Sequence, residues 1–120
     1  VKASDRDQIL FLEDMERAML RVQEYISDLF FEDFEADNKT TDAVIRNFEI
    51  IGEAAKNVSA DLKQRYPEVP WQEMYVLRNR VSHEYFGVDY EIIWRIANHY
   101  LPANLGDIQK IIAREKNLLI

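Results

Sequence analysis

Ile9-Leu10-Phe11-Leu12-Glu13-Asp14-Met15-Glu16-Arg17-Ala18-Met19-Leu20-Arg21-Val22-Gln23-Glu24-Tyr25-Ile26-Ser27-Asp28-Leu29 repeats apolar side chains at Ile9, Leu12, Met15, Met19, Val22, Ile26 and Leu29, in steps of three and four. An α-helix turns about 100° per residue, so these positions form one stripe on a helix predicted from Ser4 to about Phe31. Ser4 and Asp7 read as a capping pair at its start, and the acidic run Phe31-Glu32-Asp33-Phe34-Glu35-Ala36-Asp37 as its end. The same period returns at Val44, Phe48, Ile51, Ala55 and Val58, after Thr40-Thr41-Asp42, whose side chains suit a helix start. Gly52 inside that stripe costs about 1 kcal/mol relative to Ala, which a close approach of a neighbouring helix would explain.

Further along, Ser59 to Tyr66 makes a short helix stopped by Pro67, and Pro70 suits the first turn of the next. That helix is predicted from about Trp71 to Tyr85, with Trp71, Met74, Leu77 and Val81 inward and Gly87 at its end. Asp89 caps another, with Ile93, Ala97 and Tyr100 toward the core until Pro102 breaks it. A last helix carries Leu105, Ile108, Ile112 and Leu119. No stretch alternates like a strand leading into a glycine-containing hairpin turn. The expectation is an all-α, up-and-down helical bundle of roughly four to five main helices. It would form one domain over residues 1–120.

The 120 residues are 48% apolar with three Gly, three Pro and no Cys. That composition excludes a low-complexity or disordered chain, a disulfide framework, a thiolate zinc site and a cysteine nucleophile. No apolar run approaches the roughly 18 residues of a membrane span, and no apolar signal region follows Val1, so a soluble, cytoplasmic protein without a membrane partner is expected. Val1 in place of Met suggests a trimmed or processed end. The net charge is −7, and all of it lies early: residues 1–37 hold 11 acids and 4 bases, whereas residues 38–120 hold 11 of each. An acidic chain gains little from counterion release, so any RNA chemistry needs a local basic site. The acidic run itself reads as a solvated helix end, with a docking surface for a basic partner as the alternative.

The two histidines, His83 and His99, follow Arg80 and Ile96 by three residues, so no Glu-x-x-His pair of a di-iron bundle exists. No two-histidine zincin motif is present either, and Gly52, Gly87 and Gly106 are too scattered to cradle phosphates. No metal and no cofactor are expected.

One segment stands apart. Arg78-Asn79-Arg80-Val81-Ser82-His83-Glu84-Tyr85 packs two guanidiniums, a carboxamide, a hydroxyl, an imidazole and a phenol into eight residues. On a helix Asn79 and His83 lie about 40° apart, Arg78 and Tyr85 about 20°, but Arg78 and His83 about 140°. Two copies meeting about a two-fold axis would gather two Arg and two His around one cleft, which favours a homodimer. Imidazole can move a proton near neutral pH and guanidinium can hold phosphate oxygens, a pairing suited to RNA cleavage by 2′-hydroxyl attack. The residues alone leave a second reading open, in which Arg78 pairs with Glu84 or an acid of the first helix and His83 is a satisfied interface residue.

Leu77-Arg78-Asn79-Arg80-Val81-Ser82-His83-Glu84-Tyr85-Phe86-Gly87-Val88-Asp89 resembles the signature of HepT-like proteins, the HEPN-domain toxins paired with a minimal nucleotidyltransferase antitoxin. The pattern Arg, four residues, His, one residue, Tyr is met by Arg78, His83 and Tyr85. The similarity extends to the segment from Asp42 to Ala55, to Tyr66-Pro67-Glu68-Val69-Pro70-Trp71 and to Leu101-Pro102, and covers roughly residues 8–112.

The resemblance implies a HEPN-like homodimer that is a metal-independent endoribonuclease, with Arg78 and His83 catalytic and Asn79 supporting them. It implies a cognate minimal nucleotidyltransferase antitoxin as partner, RNA as substrate, and Tyr85 as the acceptor of a silencing AMP. Tyr85 as a core aromatic is the alternative. Arg46, Asn47, Glu53 and Arg80 are candidates for cleft support, though helix-to-helix hydrogen bonding accounts for the first three equally well, and Glu49 lies in the same matching segment. His99 reads as structural or surface. The rival function is a non-catalytic subunit binding nucleotide or substrate for a nucleotidyltransferase, and a purely structural bundle is the third reading.

Overall fold

The computed structural model describes residues 3–82 and 89–119, with residues 3–6 and 78–82 described by their backbone alone. Every regular element among them is helical. Helix α1 (Ala3–Ile26) carries the opening stripe, with Leu12, Met15, Met19 and Val22 fully buried. It already includes Ser4, which therefore lies inside the first turn and not before it. It also stops at Ile26, short of Phe31, because Asp28 takes a left-handed backbone (φ 65°) and the Leu29 N–H turns back to the Ile26 carbonyl at 3.1 Å. Leu29 consequently falls outside the helix and is half-buried.

The acidic run is a helix in its own right, α2 (Phe31–Ala36), and not the tail of α1. Phe30 is extended, its N–H donates to the Asp33 carboxylate at 2.9 Å, and Glu32 and Asp33 sit where the helix dipole favours negative charge. Phe34 anchors it, fully buried with its ring 5.2 Å from that of Trp94 and 6.2 Å from that of Tyr90. The acids Glu32, Asp33 and Glu35 stay exposed.

Helix α3 (Asn38–Asn57) is capped by Asp37 and not by Thr40-Thr41-Asp42. Asp37 Oδ1 accepts the N–H groups of Lys39 and Thr40 at 3.1 and 3.3 Å, and Oδ2 accepts the Thr40 hydroxyl at 2.8 Å. Thr40 and Thr41 thus lie within the first turn, while Val44, Phe48, Ile51 and Ala55 form the buried stripe. Ser59 caps the short α4 (Ala60–Arg65) by accepting the Leu62 N–H at 3.2 Å, and its own N–H donates to Gln8 of α1 at 2.6 Å. Helix α5 (Trp71–Ser82) opens after Pro70, whose carbonyl accepts the Met74 N–H at 3.0 Å. Trp71 and Met74 are buried and Leu77 is half-buried; the Val81 side chain, the predicted end at Tyr85 and Gly87 lie outside the described residues.

Asp89 caps α6 (Tyr90–Arg95), accepting from Glu91 and Ile92 at 3.0 and 3.4 Å. Pro102 does not break the chain into separate helices at this point. The helical path runs on through a π turn, Ile96–Tyr100, into α7 (Leu101–Leu118), and the Leu101 N–H reaches back to the Ile96 carbonyl. This widened turn comes just before Pro102, which has no N–H to give and sits harmlessly in the first turn of α7. The extra residue also rotates Tyr100 away from the core, where it is 58% exposed and not inward as its spacing predicts. Leu105, Ile108 and Ile112 are buried as expected, and Leu119 lies just past the helix, half-buried.

In the bundle α3 packs between α1 and α5, α7 lies along α1, and α2 bridges α3 and α6. Among the described residues no helix is long and apolar enough to cross a membrane.

Candidate active site

The candidate site is carried by α5 and the helix it packs on, α3. The backbone of α5 carries Arg78, Asn79 and Arg80 and stays helical through Ser82, so these three are fixed at helical spacing. Their side chains, together with His83 and Tyr85 entirely, lie outside the described residues.

On α3 the side chains themselves are defined. Arg46 is exposed, and its Nη1 meets the Glu49 carboxylate at 3.4 Å, an ion pair of two accessible groups that stabilises little. Together with Glu53 and Asn57, and with Phe11 and Asp14 of α1, this pair lines a groove of about 320 Å³. Three carboxylates there face one guanidinium, so the groove repels phosphate and suits a cationic or hydrogen-bonding visitor better. Glu53 is exposed at its rim and engaged in an interaction of its own.

Asn47 is turned elsewhere. Adjacent residues on a helix point about 100° apart, and Asn47 is buried while Arg46 is in solvent. The structure therefore does not bring Arg46 and Asn47 to one place. The Asn47 amide donates to the Ala43 carbonyl at 2.8 Å, whereas its Oδ1 is buried with no partner among the described residues. A buried acceptor without a donor is costly in a native core and calls for an explanation. His99 is exposed on the π turn. Among the described residues no group of three or more His, Asp or Glu could hold a metal ion.

Two features escaped the sequence reading. The first is Glu115, buried on α7, with one carboxylate oxygen accepting from Arg65 at 2.6 Å and the other from the Tyr66 hydroxyl at 2.7 Å. Its position continues the inward series Leu101, Leu105, Ile108, Ile112 by another step of three, and a carboxylate in a core slot was the available signal. The second is the π turn itself, which only Pro102 foreshadows.

Among the described residues every regular element is helical, and α5, which carries Arg78, Asn79 and Arg80, packs on α3 as expected of a HEPN-like helical bundle. The chain matches the family described as Ribonuclease HepT-like over residues 15–111, and it belongs to that HepT-like family. It is 41% identical over 111 residues to a Thermococcus cleftensis protein named "Probable ribonuclease HepT", covering 92% of this chain and 98% of the relative. It is 42% identical over 107 residues to the Methanocaldococcus jannaschii "Putative RNase MJ0127", covering 89% of this chain and 88% of that one. No solved structure matches the chain.

Proposed function

We propose that this protein is the ribonuclease toxin of a toxin-antitoxin pair, a homodimeric endoribonuclease that cuts RNA without a metal and is silenced when a partner minimal nucleotidyltransferase transfers AMP to Tyr85. The observation that supports this best is similarity along nearly the whole chain to a protein named as a ribonuclease, joined to the sequence pattern of Arg78, His83 and Tyr85.

In this mechanism the ribose 2′-oxygen attacks the adjacent phosphorus and the 5′-oxygen leaves, giving a 2′,3′-cyclic phosphate and a 5′-hydroxyl end. His83 takes the 2′-proton or protonates the leaving oxygen, and its copy across the dimer serves the other step. Arg78 holds the phosphate oxygens as negative charge builds on them, and Asn79 helps to seat them. Silencing attaches AMP to the phenol: the Tyr85 oxygen attacks the α-phosphorus of ATP, pyrophosphate leaves and the phenolic proton passes to solvent. The added anion then occupies ground the RNA phosphate needs.

The test is cleavage of RNA by the purified protein in EDTA, compared with His83→Ala and Arg78→Ala. Cleavage that survives chelation and falls by about 10²–10⁴ in each variant is the expected result. Tight binding of nucleotide or nucleotidyltransferase with no cleavage would instead favour the non-catalytic subunit.

A further inference from the structure

A groove of about 470 Å³ opens between the first turns of α5 and the π turn, separate from the acidic groove between α1 and α3. Its apolar lining comes from Pro70, from Met74, Val76 and Leu77 of α5, and from Ile96 of the π turn. Its polar lining is one carboxylate, Glu73, two carboxamides, Gln72 and Asn104, and one exposed phenol ring, Tyr100. The volume falls within the range of small-ligand sites, about 300–1,000 Å³.

We infer that this groove is a base-recognition subsite for the RNA, taking a nucleobase with a donating edge, guanine best. The inference rests on the ribonuclease reading above and adds to it what the cleaved strand is selected by. Three observations meet here. Tyr100 is held in solvent by the π turn, an irregular element that recurs at functional sites, so a flat ring stands ready for a base to stack on. Leu77 in the lining immediately precedes Arg78 on α5, so the groove and the residue assigned to the phosphate are carried by one helix. The carboxylate of Glu73 matches the adjacent N1–H and N2–H donors of guanine, whereas uracil turns two carbonyl oxygens to either side of its one N–H and is repelled. The amides of Gln72 and Asn104 can serve the remaining edge.

The test uses the full chain and two readouts. Oligoribonucleotides carrying a single guanosine or a single uridine in an otherwise uniform strand are cleaved by wild type, Tyr100→Ala and Glu73→Gln, with the oligomeric state of each variant measured alongside. Separately, guanosine and uridine monophosphates are titrated while backbone amide NMR signals of Glu73 and Tyr100 are followed. Wild type should prefer the guanosine strand; Tyr100→Ala should lose about tenfold in kcat/KM on both strands, and Glu73→Gln should narrow the guanosine-to-uridine ratio. Guanosine monophosphate should move the groove signals more than uridine monophosphate does. Normal cleavage with unmoved groove signals and unchanged variants would overturn the subsite and leave the ribonuclease reading standing. Loss of self-association in both variants would also overturn it, marking the groove as a subunit contact. Groove signals that respond to guanosine monophosphate in a protein that cuts no RNA would keep the nucleotide site and sink the ribonuclease reading.

Discussion

The hydroxyl of Tyr66 donates a 2.7 Å hydrogen bond to Oε2 of Glu115, joining the end of α4 to the last turns of α7. Oε1 accepts from Arg65 at 2.6 Å, so both oxygens of a buried carboxylate are occupied. The Tyr66 carbonyl in turn accepts the Trp71 indole N–H at 3.0 Å, and the Arg114 guanidinium lies 5.8 Å from the centre of the tyrosine ring. A charge buried in a small bundle is tolerated when its lone pairs are met in this way. The network ties the end of α4 and Trp71, the first residue of α5, to α7.

Tyr66→Phe removes one bond to a charged acceptor and leaves Glu115 partly unmatched, at a cost of about 1.5–3 kcal/mol. Arg65 is 53% exposed, so its arm of the network is screened by water and contributes at most about 1 kcal/mol. Urea denaturation of Tyr66→Phe, Glu115→Gln and the double variant should reveal a coupling well above zero. Additive single effects would show that the two groups act independently.

The pH dependence has two limbs. Burial, then the hydrogen bond to Glu115, pushes the Tyr66 phenol above its ordinary 10.0, so its contribution is complete below pH 10 and is lost as pH rises through the higher folded value. Hydrogen bonds from Thr40 hold the Asp37 carboxyl below its ordinary 3.8, so the α3 cap contributes fully above that value and is lost as pH falls through the lower folded one. Thermal melts against pH should show both declines. Tyr66→Phe should flatten the alkaline limb alone, and Asp37→Asn, which keeps a capping oxygen, the acid limb alone.

Where the stripe of α3 was legible, it was because Val44, Phe48, Ile51 and Ala55 repeat on one period with nothing competing. The end of α1 was not, since Leu29 keeps the helical spacing while the backbone at Asp28 has already left the helix, and apolar spacing carries no record of φ. Asp37, Thr40, Thr41 and Asp42 can all cap a helix, and the extended backbone at Asp37 decides among them. The acidic run misled through its charge; Phe31 and Phe34, three apart, were the better guide, because Trp94 lies within 6.1 Å of both rings.

The candidate site divides along the same line. The density of polar chemistry from Arg78 to Tyr85 can be read from residue types alone. The fates of Arg46 and Asn47 cannot, since neighbours on one helix diverge by about 100° and only packing decides which is buried.

Asp28 offers a direct check on the left-handed turn. Its side chain is exposed, so substitution there reports the backbone and little else. Asp28→Gly relieves the steric cost at φ 65°, partly offset by a freer unfolded chain, and should stabilise by about 0.5–1 kcal/mol. Asp28→Val should destabilise by about 1–2 kcal/mol, because a β-branched side chain suits that region worst. Equal stability of all three in chemical denaturation would place the turn elsewhere.

Tyr85 as the AMP acceptor predicts a mass. Co-expression with a cognate minimal nucleotidyltransferase should add one or more AMP units to the intact chain and suppress cleavage of RNA. Tyr85→Phe should stay unmodified and active under the same conditions. Identical adducts on both forms, mapped by peptide mass spectrometry, would move the acceptor to another side chain.

Asn47 tests whether its buried amide oxygen serves the site or burdens the core. Among the described residues no donor meets this oxygen, and a buried carbonyl oxygen left so costs about 1–3 kcal/mol, so Asn47→Leu, close in size and free of polar atoms, should raise the denaturation midpoint by the equivalent of about 1 kcal/mol. If the oxygen is kept because α5, packed on α3, or a bound strand supplies its donor during reaction, the same variant should cut RNA about tenfold more slowly with its fold and oligomeric state unchanged. Asn47→Asp retains an acceptor and should recover part of that rate while losing stability, through the burial of a charge. A more stable Asn47→Leu with full activity would assign Asn47 to the packing of α3 alone.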